Sequence, residues 1–431
     1  MISSAPQNKV MGLRYDPASQ VTNILHQLLS SATQINQAAY AYNSVGNRTS
    51  LTDRRGSQAF GYDTLDRLTS ASHPLLGTPQ AFAYDPVGNR TTGGSVVNAG
   101  NQLTADANYG YQYDDNGNLT RKTLLSTGNF TAYTYDAENR LTKVEEFTAG
   151  NPTPAFTSTY RYDGLGRRIE KVANGQTKRY VYDGEDILLE YDGSNVLQAR
   201  YTHGPGIDEP IAVTKGSSTF FYHQDGLGTV TDLTDSTGAT AKSYSYDAYG
   251  TIVDQTGTVE QPYTYTGREL DSETGLYYYR ARYYDPATGR WLQKDPMGFW
   301  GKDVNLYRYV RSNPANRTDP SGLGPYSFVA CSILNAGKQF NDFLRELDLL
   351  DESTQLTREM LARIDAEISS CPARDVERLV ELKRIRDQLG LQLDQLIMNR
   401  TADVSKLGLY QVAEGMVWEG ICGLTLLLPL P

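Results

Sequence analysis

One short pattern, Tyr-Asp followed by a turn centred on glycine or asparagine, recurs along the first half of this chain. Successive copies begin 20 to 29 residues apart. A period this short makes each copy a single small unit, which buries its apolar face only by stacking against its neighbours. The copies begin at Tyr15, Tyr62, Tyr84, Tyr113, Tyr135, Tyr162 and Tyr182, with a Tyr-Asn variant at Tyr42.

Each copy of the pattern predicts a β-hairpin. Stretches such as "TAYTYD" alternate polar and aromatic residues, as a strand with one buried face does. The aspartate then accepts hydrogen bonds from the following backbone, and glycine or asparagine takes the left-handed position of the turn. Since one hairpin alone is marginally stable, we expect neighbouring hairpins to join into a continuous antiparallel sheet, with the repeat tyrosines as scaffold.

Composition supports a β-rich chain and indicates which partners and which cellular location to expect. The 431 residues include 31 tyrosines and 39 glycines, which favour strands and turns. The net charge of −10 argues against extensive electrostatic binding of nucleic acid by the repeat region. The three cysteines, Cys331, Cys371 and Cys422, all follow the repeats, so no disulfide frame holds them. The stretch "MISSAPQNKVMGLRYDP" lacks the apolar run that a signal peptide needs, and no segment reaches the run of about 20 apolar residues that a spanning helix needs. We therefore expect a secreted or cell-surface protein that uses a dedicated secretion system.

The repeat resembles the YD repeat of the RHS family, which also includes toxin-complex C components and teneurins. The segment from Tyr246 to Leu323 contains "TGLYYYRARYYDPATGRW" and "NLYRYVRSNPANRTDPSGL", and it is similar to the RHS repeat-associated core. The resemblance implies a hollow β-shell of repeats, a core segment that plugs or lines one end, and a variable C-terminal toxin. It also implies a self-cleaving aspartyl site that releases the toxin. Family shells contain several times more repeats, so this chain is expected to form only part of one.

The resemblance, together with the sequence pattern, predicts three domains. Residues 1–245 are predicted to form the YD-repeat sheet, residues 246–323 the core with its cleavage site, and residues 324–431 a variable domain in the position of the toxin. In this last domain the apolar residues Leu356, Met360, Ile364 and Ile368 recur every four positions, and a second stripe runs from Val376 to Leu396. This periodicity predicts a helical hairpin. The predicted fold class is therefore mainly β, a partial shell followed by an α-helical C-terminal domain.

The tetrapeptide Asp-Pro-x-Gly occurs at Asp295 and again at Asp319, at the border of the variable domain. By itself it predicts only a turn, because proline suits its second position, glycine its fourth, and the leading aspartate caps it. "DPVG" at Asp85 lies within an ordinary repeat and supports that interpretation. The residues that would support the turns and the surrounding motif are Pro296, Gly298, Pro314, Pro320 and Gly322.

A catalytic role for the same aspartates comes from the family resemblance. The stretch "PANRTDPSGL" matches the family's cleavage motif, which implies that Asp295 and Asp319 are the catalytic pair and that the cut falls between Leu323 and Gly324. Two neighbouring carboxylates cannot both ionise cheaply, so one keeps its proton. The ionised carboxylate can then act as a base on water, while the other polarises the scissile carbonyl.

Other polar residues have weaker claims. Asp303 is expected to face solvent and Asp285 to cap one more turn, while Arg290 and Lys294 are expected to be surface cations near the first aspartate. The histidines, His26, His73, His203 and His223, lack metal-ligand spacing, and no Ser-His or Cys-His arrangement is evident. We therefore predict no metal site and no cofactor.

The family resemblance also suggests partners. These are the chain's own C-terminal domain as cargo, a cognate immunity protein, and either secretion machinery or an upstream shell part. The acidic C-terminal domain, with 11 lysines and arginines against 16 acidic residues and no histidine, has no evident chemistry, and an action on membranes is left open. An alternative from a different class is a non-catalytic scaffold that binds surfaces or carbohydrates through its aromatic faces, with a helical interaction module.

Overall fold

The structure is a computed structural model that describes residues 9–28, 32–301 and 303–324. In this part of the chain, three antiparallel sheets follow one another, and each strand pairs with its neighbours in sequence. The first sheet consists of β1 (Lys9–Tyr15), β2 (Val21–Leu28), β3 (Gln34–Tyr42), β4 (Arg48–Asp53), β5 (Gly56–Tyr62), β6 (Leu68–Ala71) and β7 (Gln80–Ala81).

The second sheet has sixteen strands and contains four of the eight copies of the repeat, those at Tyr113, Tyr135, Tyr162 and Tyr182. Its strands are β8 (Val96–Val97), β9 (Leu103–Ala105), β10 (Tyr109–Tyr113), β11 (Leu119–Leu124), β12 (Phe130–Tyr135), β13 (Leu141–Phe147), β14 (Phe156–Tyr162), β15 (Arg168–Ala173), β16 (Gln176–Asp183), β17 (Asp186–Asp192), β18 (Leu197–His203), β19 (Pro210–Lys215), β20 (Ser218–Gln224), β21 (Val230–Thr234), β22 (Thr240–Tyr246) and β23 (Ile252–Gly257). The prediction of a continuous sheet of hairpins is therefore confirmed for this region.

The third sheet is short and lies in the core segment. Its strands are β24 (Glu269–Asp271), β25 (Leu276–Tyr279), β26 (Arg282–Asp285) and β27 (Arg290–Trp291). Three 3₁₀ segments accompany it, Tyr265–Gly267, Gly298–Gly301 and Val310–Ser312. The segment after β27 folds back onto the third sheet, where the N–H of Trp291 donates to the carbonyl of Tyr307.

The Tyr-Asp repeat forms its turns as predicted. In the copy at Tyr135, Asp136 Oδ1 accepts hydrogen bonds of 2.9 Å from the backbone N–H groups of Glu138 and Arg140. Between them Asn139 has a φ of 60°, in the left-handed region that asparagine and glycine tolerate best. The aspartate thus satisfies two backbone donors that the tight turn would otherwise leave without partners.

The tyrosine of most copies also joins its copy to the preceding one. The hydroxyl of Tyr162 donates to the carbonyl of Leu141 at 2.6 Å, and the hydroxyl of Tyr246 donates to the carbonyl of Val230 at 2.8 Å. In each case the acceptor is the first residue of the strand that follows the preceding turn. Other copies repeat this bond with the pairs Tyr42–Val21, Tyr62–Arg48, Tyr84–Leu68, Tyr135–Leu119 and Tyr182–Arg168. The repeat tyrosine is therefore a structural link, as its scaffold role predicts.

The third sheet is buried on both faces. Tyr277 and Tyr279 on one face pack with apolar residues of β16–β22, together with Leu68 and Ala71 of the first sheet. Tyr278 on the other face, with Leu276, packs with apolar residues of β9–β14. Because both of these regions belong to the same sixteen-stranded sheet, that sheet bends around the third sheet and encloses it.

A buried network of ion pairs also connects the repeats to the core segment. Arg168 at the start of β15 is fully buried, and its guanidinium lies 2.5 Å from Asp271 Oδ2 and 3.0 Å from Glu269 Oε2. Lys171 lies 2.9 Å from the second oxygen of Asp271. A buried charge without a partner costs several kcal/mol, so these pairs require β15 and β24 to stay together.

The expected α-helical component of the fold is wrong for the structure as described. Between residues 9 and 324, apart from the positions without description, the elements are strands and 3₁₀ segments, and no helix is long and apolar enough to cross a membrane. The predicted helical domain, residues 324–431, lies almost entirely outside the described residues. Hydrophobic periodicity expresses a local preference, whereas helical stability comes mainly from tertiary packing of the apolar face. The described fold is mainly β.

The tyrosine link predicts a measurable contribution to stability. Tyr246→Phe removes the buried hydroxyl bond to Val230 and should lower the free energy of unfolding by about 1 kcal/mol. Tyr15→Phe, at a side chain that is 57% exposed, is the matched control and should change stability little. Thermal unfolding of the two variants and the wild type measures the difference. Equal midpoints for all three proteins would contradict the proposed role of the hydroxyl.

Candidate aspartyl cleavage site

Asp295 opens the first Asp-Pro-x-Gly turn, four residues after the end of β27. Its carboxylate Oδ1 accepts the N–H of Met297 at 2.9 Å, and its carbonyl accepts the N–H of Gly298 at 2.8 Å. Gly298 has a φ of 55°, which glycine adopts at little cost. The predicted turn is confirmed, and it places the second carboxylate oxygen, Oδ2, in the protein interior, where Asp295 is buried.

Asp319 opens the second turn and reaches the bond that is predicted to be cut. Gly322 has a φ of 72° and donates to the carbonyl of Asp319. The N–H of Leu323 donates to Asp319 Oδ1 at 3.1 Å, and the N–H of Gly324 donates to Asp319 Oδ2 at 2.8 Å. The carboxylate therefore contacts both backbone nitrogens around the Leu323–Gly324 peptide bond.

The second contact separates this turn from the ordinary repeat turns. In five of those turns the aspartate Oδ2 accepts a bond from the side chain four residues later, in the pairs Asp63–Arg67, Asp85–Asn89, Asp114–Asn118, Asp136–Arg140 and Asp163–Arg167. The corresponding residues after Asp295 and Asp319 are Phe299 and Leu323, which have no donor. The oxygen is therefore available for other partners. This feature alone does not set the two aspartates apart in the sequence, because the turns at Asp192 and Asp235 also have an apolar residue four positions later, Val196 and Ala239.

Arg282, in β26, lies between the two carboxylates. Its Nη2 is 3.1 Å from Asp295 Oδ2 and 3.4 Å from Asp319 Oδ2. The same guanidinium donates through Nε to the carbonyl of Gly322, and its carbon lies 4.1 Å from the centre of the Trp291 ring. The structure thus brings the two predicted aspartates together across a shared arginine, which the sequence analysis did not single out.

Burial controls the ionisation of this cluster. Burial raises the pKa of Asp319 to about 6, although Arg282 and the amide of Gly324 favour the ionised form. Burial also raises the pKa of Asp295, and Arg282 opposes that shift. Asp319 therefore holds a proton at pH values at which an exposed aspartate has lost it.

The Leu323–Gly324 bond contacts one carboxylate and borders a small space that the other also borders. A Cβ atom on Gly301 would lie 3.0 Å from Asp295 Oδ2 and 3.6 Å from the carbonyl oxygen of Leu323, so both atoms border the same small space. Asp319 contacts the nitrogen of the same bond. This arrangement puts one acid near the carbonyl side and the other at the amide side, which is what proton transfer during peptide hydrolysis requires.

The weaker candidates lie apart from this cluster or differ from expectation. Asp303, which was expected in solvent, is 11% exposed at its side chain and pairs with Arg308 at 2.5 Å. Arg290 is buried rather than a surface cation, and it bonds the carbonyl of Asn101. Lys294 is exposed as expected, and Asp285 caps a turn and pairs with Lys122 at 3.0 Å. Pro314 and Pro320 are buried, whereas Pro296 is exposed.

Two of the four histidines, His26 and His223, lie together. His26 and His223 meet edge to face with their ring centres 4.9 Å apart, and His26 Nε2 bonds the carbonyl of Gln224 at 2.8 Å. Burial lowers the pKa of His26 and of His73. Among the residues with described positions, no group of three or more histidine, cysteine or acidic side chains is arranged to hold a metal ion.

Two curated relatives each match more than half of this chain. The chain is 38% identical over 280 residues to the tRNA3(Ser)-specific nuclease WapA of Bacillus spizizenii, covering 61% of this chain and 12% of that protein. It is 30% identical over 337 residues to double-stranded DNA deaminase toxin A of Burkholderia cenocepacia, covering 68% of this chain and 23% of that protein. This chain is therefore less than a quarter as long as the first relative and spans a minor part of the second.

The fold is shared with a solved toxin complex. The crystal structure of TcdB2-TccC3 matches with a TM-score of 0.53 and 21% identity, over 73% of this chain and 19% of that one. At this identity the match shows the fold alone. The family model for the teneurin YD-shell matches residues 3–315. With tyrosine-linked hairpins that enclose the core segment, this chain belongs to the YD-shell family of RHS/YD-repeat proteins.

Proposed function

We propose that this chain is part of an RHS-family polymorphic toxin whose shell releases residues 324–431 by cutting itself after Leu323. The observation that carries the proposal is the 2.8 Å contact between Asp319 Oδ2 and the nitrogen of Gly324, inside a buried cluster with a second carboxylate. The two relatives, a tRNA nuclease and a double-stranded DNA deaminase toxin, support an effector as the released part.

The geometry favours one assignment of roles. Asp319, the carboxyl group with a pKa of about 6, donates its proton to the nitrogen of Gly324, which becomes a proton acceptor once the carbonyl carbon is tetrahedral. Asp295, 3.1 Å from Arg282, stays ionised and accepts a proton from the attacking water. The water oxygen bonds to the carbonyl carbon of Leu323, and the bond to Gly324 breaks. The products are a carboxyl group at Leu323 and an amine at Gly324.

The described sheets support a partial shell that other repeats extend. β1 is the edge strand of the first sheet, and Met11 and Leu13 are exposed although they pair with His26 and Ile24 on the buried face of β2. An edge strand with an uncovered apolar face is suited to pairing with another strand. An upstream shell part, in the same polypeptide or in a secretion or toxin-complex partner, would cover it. A cognate immunity protein would protect the producing cell.

The proposed catalytic pair can be tested with a matched control. Asp319→Asn and Asp295→Asn should each slow formation of a fragment that begins at Gly324 by about 100-fold or more, because each removes a proton-transfer group. Asp85→Asn changes the same tetrapeptide in an ordinary repeat and should leave cleavage unchanged. Denaturing gels and intact mass measurements of freshly synthesised chain give the rates. An uncut wild type, or undiminished cleavage in Asp319→Asn, would refute the proposal.

The cleavage rate should fall as the pH rises above about 6, by about tenfold for each pH unit once Asp319 loses its proton. The same shift affects stability. The folded state binds a proton between about pH 4 and about pH 6 that the unfolded state has lost, so stability from this group disappears as the pH rises through that window. Cell-free synthesis at several pH values measures the rate. A rate that increases toward alkaline pH contradicts the acid role of Asp319.

The effector role predicts growth inhibition that depends on release. Expression of the wild-type chain in a bacterial cytoplasm should slow growth, and Asp319→Asn should relieve this effect because residues 324–431 stay attached. The Asp85→Asn chain should inhibit as the wild type does. Growth curves at matched expression levels provide the measurement. Healthy growth with complete cleavage of the wild type would exclude a toxic effector in this host while leaving autoproteolysis intact.

A further inference from the structure

The segment that precedes the proposed cut is held by a neighbouring stretch of backbone and side chains. Arg280 Nη1 donates to the carbonyl of Pro320 at 2.5 Å, and the N–H of Ala281 donates to the carbonyl of Ser321 at 3.2 Å. Arg282 donates to the carbonyl of Gly322, as described above. Three consecutive residues thus bind three consecutive carbonyl groups in the same order.

The approach of the two segments is close. A Cβ on Gly322 would overlap the carbonyl oxygen of Tyr279, so only glycine fits at this position of the turn. Arg280 itself has a φ of 58°, a left-handed conformation that costs a side-chain-bearing residue about 1 kcal/mol or more. The surrounding contacts must maintain this conformation, which directs the Arg280 guanidinium toward Pro320.

Acidic groups from the repeat sheet maintain it. Arg280 Nη2 lies 2.8 Å from Asp208 Oδ1 and 3.7 Å from Asp186 Oδ1, and its Nε lies 3.3 Å from Glu185 Oε2. Asp208 belongs to the loop between β18 and β19, Glu185 to the turn between β16 and β17, and Asp186 is the first residue of β17. Asp208 is fixed in turn by Arg268, whose Nη1 lies 2.5 Å away. These acids precede Arg280 by 72 or more residues in sequence and reach it only in the assembled sheet.

We propose that Arg280 is a positioning residue for cleavage and that Glu185, Asp186 and Asp208 make cleavage depend on the assembled repeat sheet. This inference rests on the proposed autoproteolysis. Arg280 contacts the chain three residues before the cut and touches no reacting atom. Its role is to hold the Pro320 carbonyl, and with it the scissile bond, between Asp295 and Asp319. The three acids orient Arg280 only after their hairpins have folded, so an incomplete shell would not release its C-terminal domain.

The test compares cleavage rates in freshly synthesised full-length chains. Arg280→Gln should slow the appearance of the fragment that begins at Gly324 by about 100-fold, because small displacements of reacting groups have effects of that size. Arg280→Lys should recover part of the rate. The control Arg161→Gln, at a surface arginine whose side chain is 73% exposed, should cleave as the wild type does. The pH profile of Arg280→Gln should keep the shape of the wild-type profile, because Asp295 and Asp319 are still present.

A double-variant comparison tests the role of the acidic residues around Arg280. Asp208→Asn should also slow cleavage, and Arg280→Gln combined with Asp208→Asn should be no slower than the slower single variant, because both act through one contact. Independent, multiplying effects would overturn the proposed coupling. Each variant is also made with Asp319→Asn to measure thermal unfolding without cleavage. If Arg280→Gln does not fold, Arg280→Lys decides, since a folded lysine variant at the full wild-type rate overturns the inference.

The outcomes separate this inference from the function on which it rests. A wild-type chain that stays uncut, or a cut that persists in Asp319→Asn, removes the proposed autoproteolysis and the inference with it. A wild-type chain that cuts, an Asp319→Asn chain that does not, and a folded Arg280→Gln chain that cuts at the wild-type rate remove the inference alone. Slow cleavage by a folded Arg280→Gln chain, with an unchanged pH profile, supports it.

Discussion

Burial of the aromatic inner face of the repeat sheet is the constraint on which this structure depends. Alternation places tyrosines and leucines on one face of every hairpin, and a sheet of sixteen strands cannot leave that face in water. The third sheet covers this inner face with both of its own faces. Tyr277 and Tyr279 pack against one part of the repeat sheet, and Tyr278 packs against another. The candidate site lies on this enclosed segment, so its carboxylates are buried as a consequence of the packing.

The candidate site reuses the turn of the repeat with a small chemical change. In an ordinary repeat turn such as that of Asp136, one carboxylate oxygen accepts bonds from backbone N–H groups. The other accepts a bond from the side chain four residues later, here Arg140. At Asp319 that later residue is Leu323, and the second oxygen accepts the N–H of Gly324 instead. A structural turn thereby points a carboxylate at a peptide bond, and the turn and the catalytic interpretations describe the same geometry.

Buried arginines connect the repeats to the core and to this site. Arg168 connects β15 to β24, Arg280 connects the repeat acids to the segment before Leu323, and Arg282 pairs with both Asp295 and Asp319. Each is desolvated and paired, and breaking such a pair is strongly destabilising because it leaves a buried charge. The charges therefore demand one specific alignment of segments that are distant in sequence, while the apolar contacts alone would tolerate small shifts.

Local patterns were sufficient to predict the hairpins, the turns at Asp295 and Asp319, and the scaffold role of the repeat tyrosines, because alternation and turn chemistry act over a few residues. Periodicity beyond Gly324 predicted helices, but a local preference does not establish a fold, and the described structure is mainly β. Only the tertiary structure placed Arg282 between the two aspartates, buried Arg290 and paired Asp303 with Arg308. Such contacts join residues from separate elements, and their partners are decided by how the long sheet bends around the core.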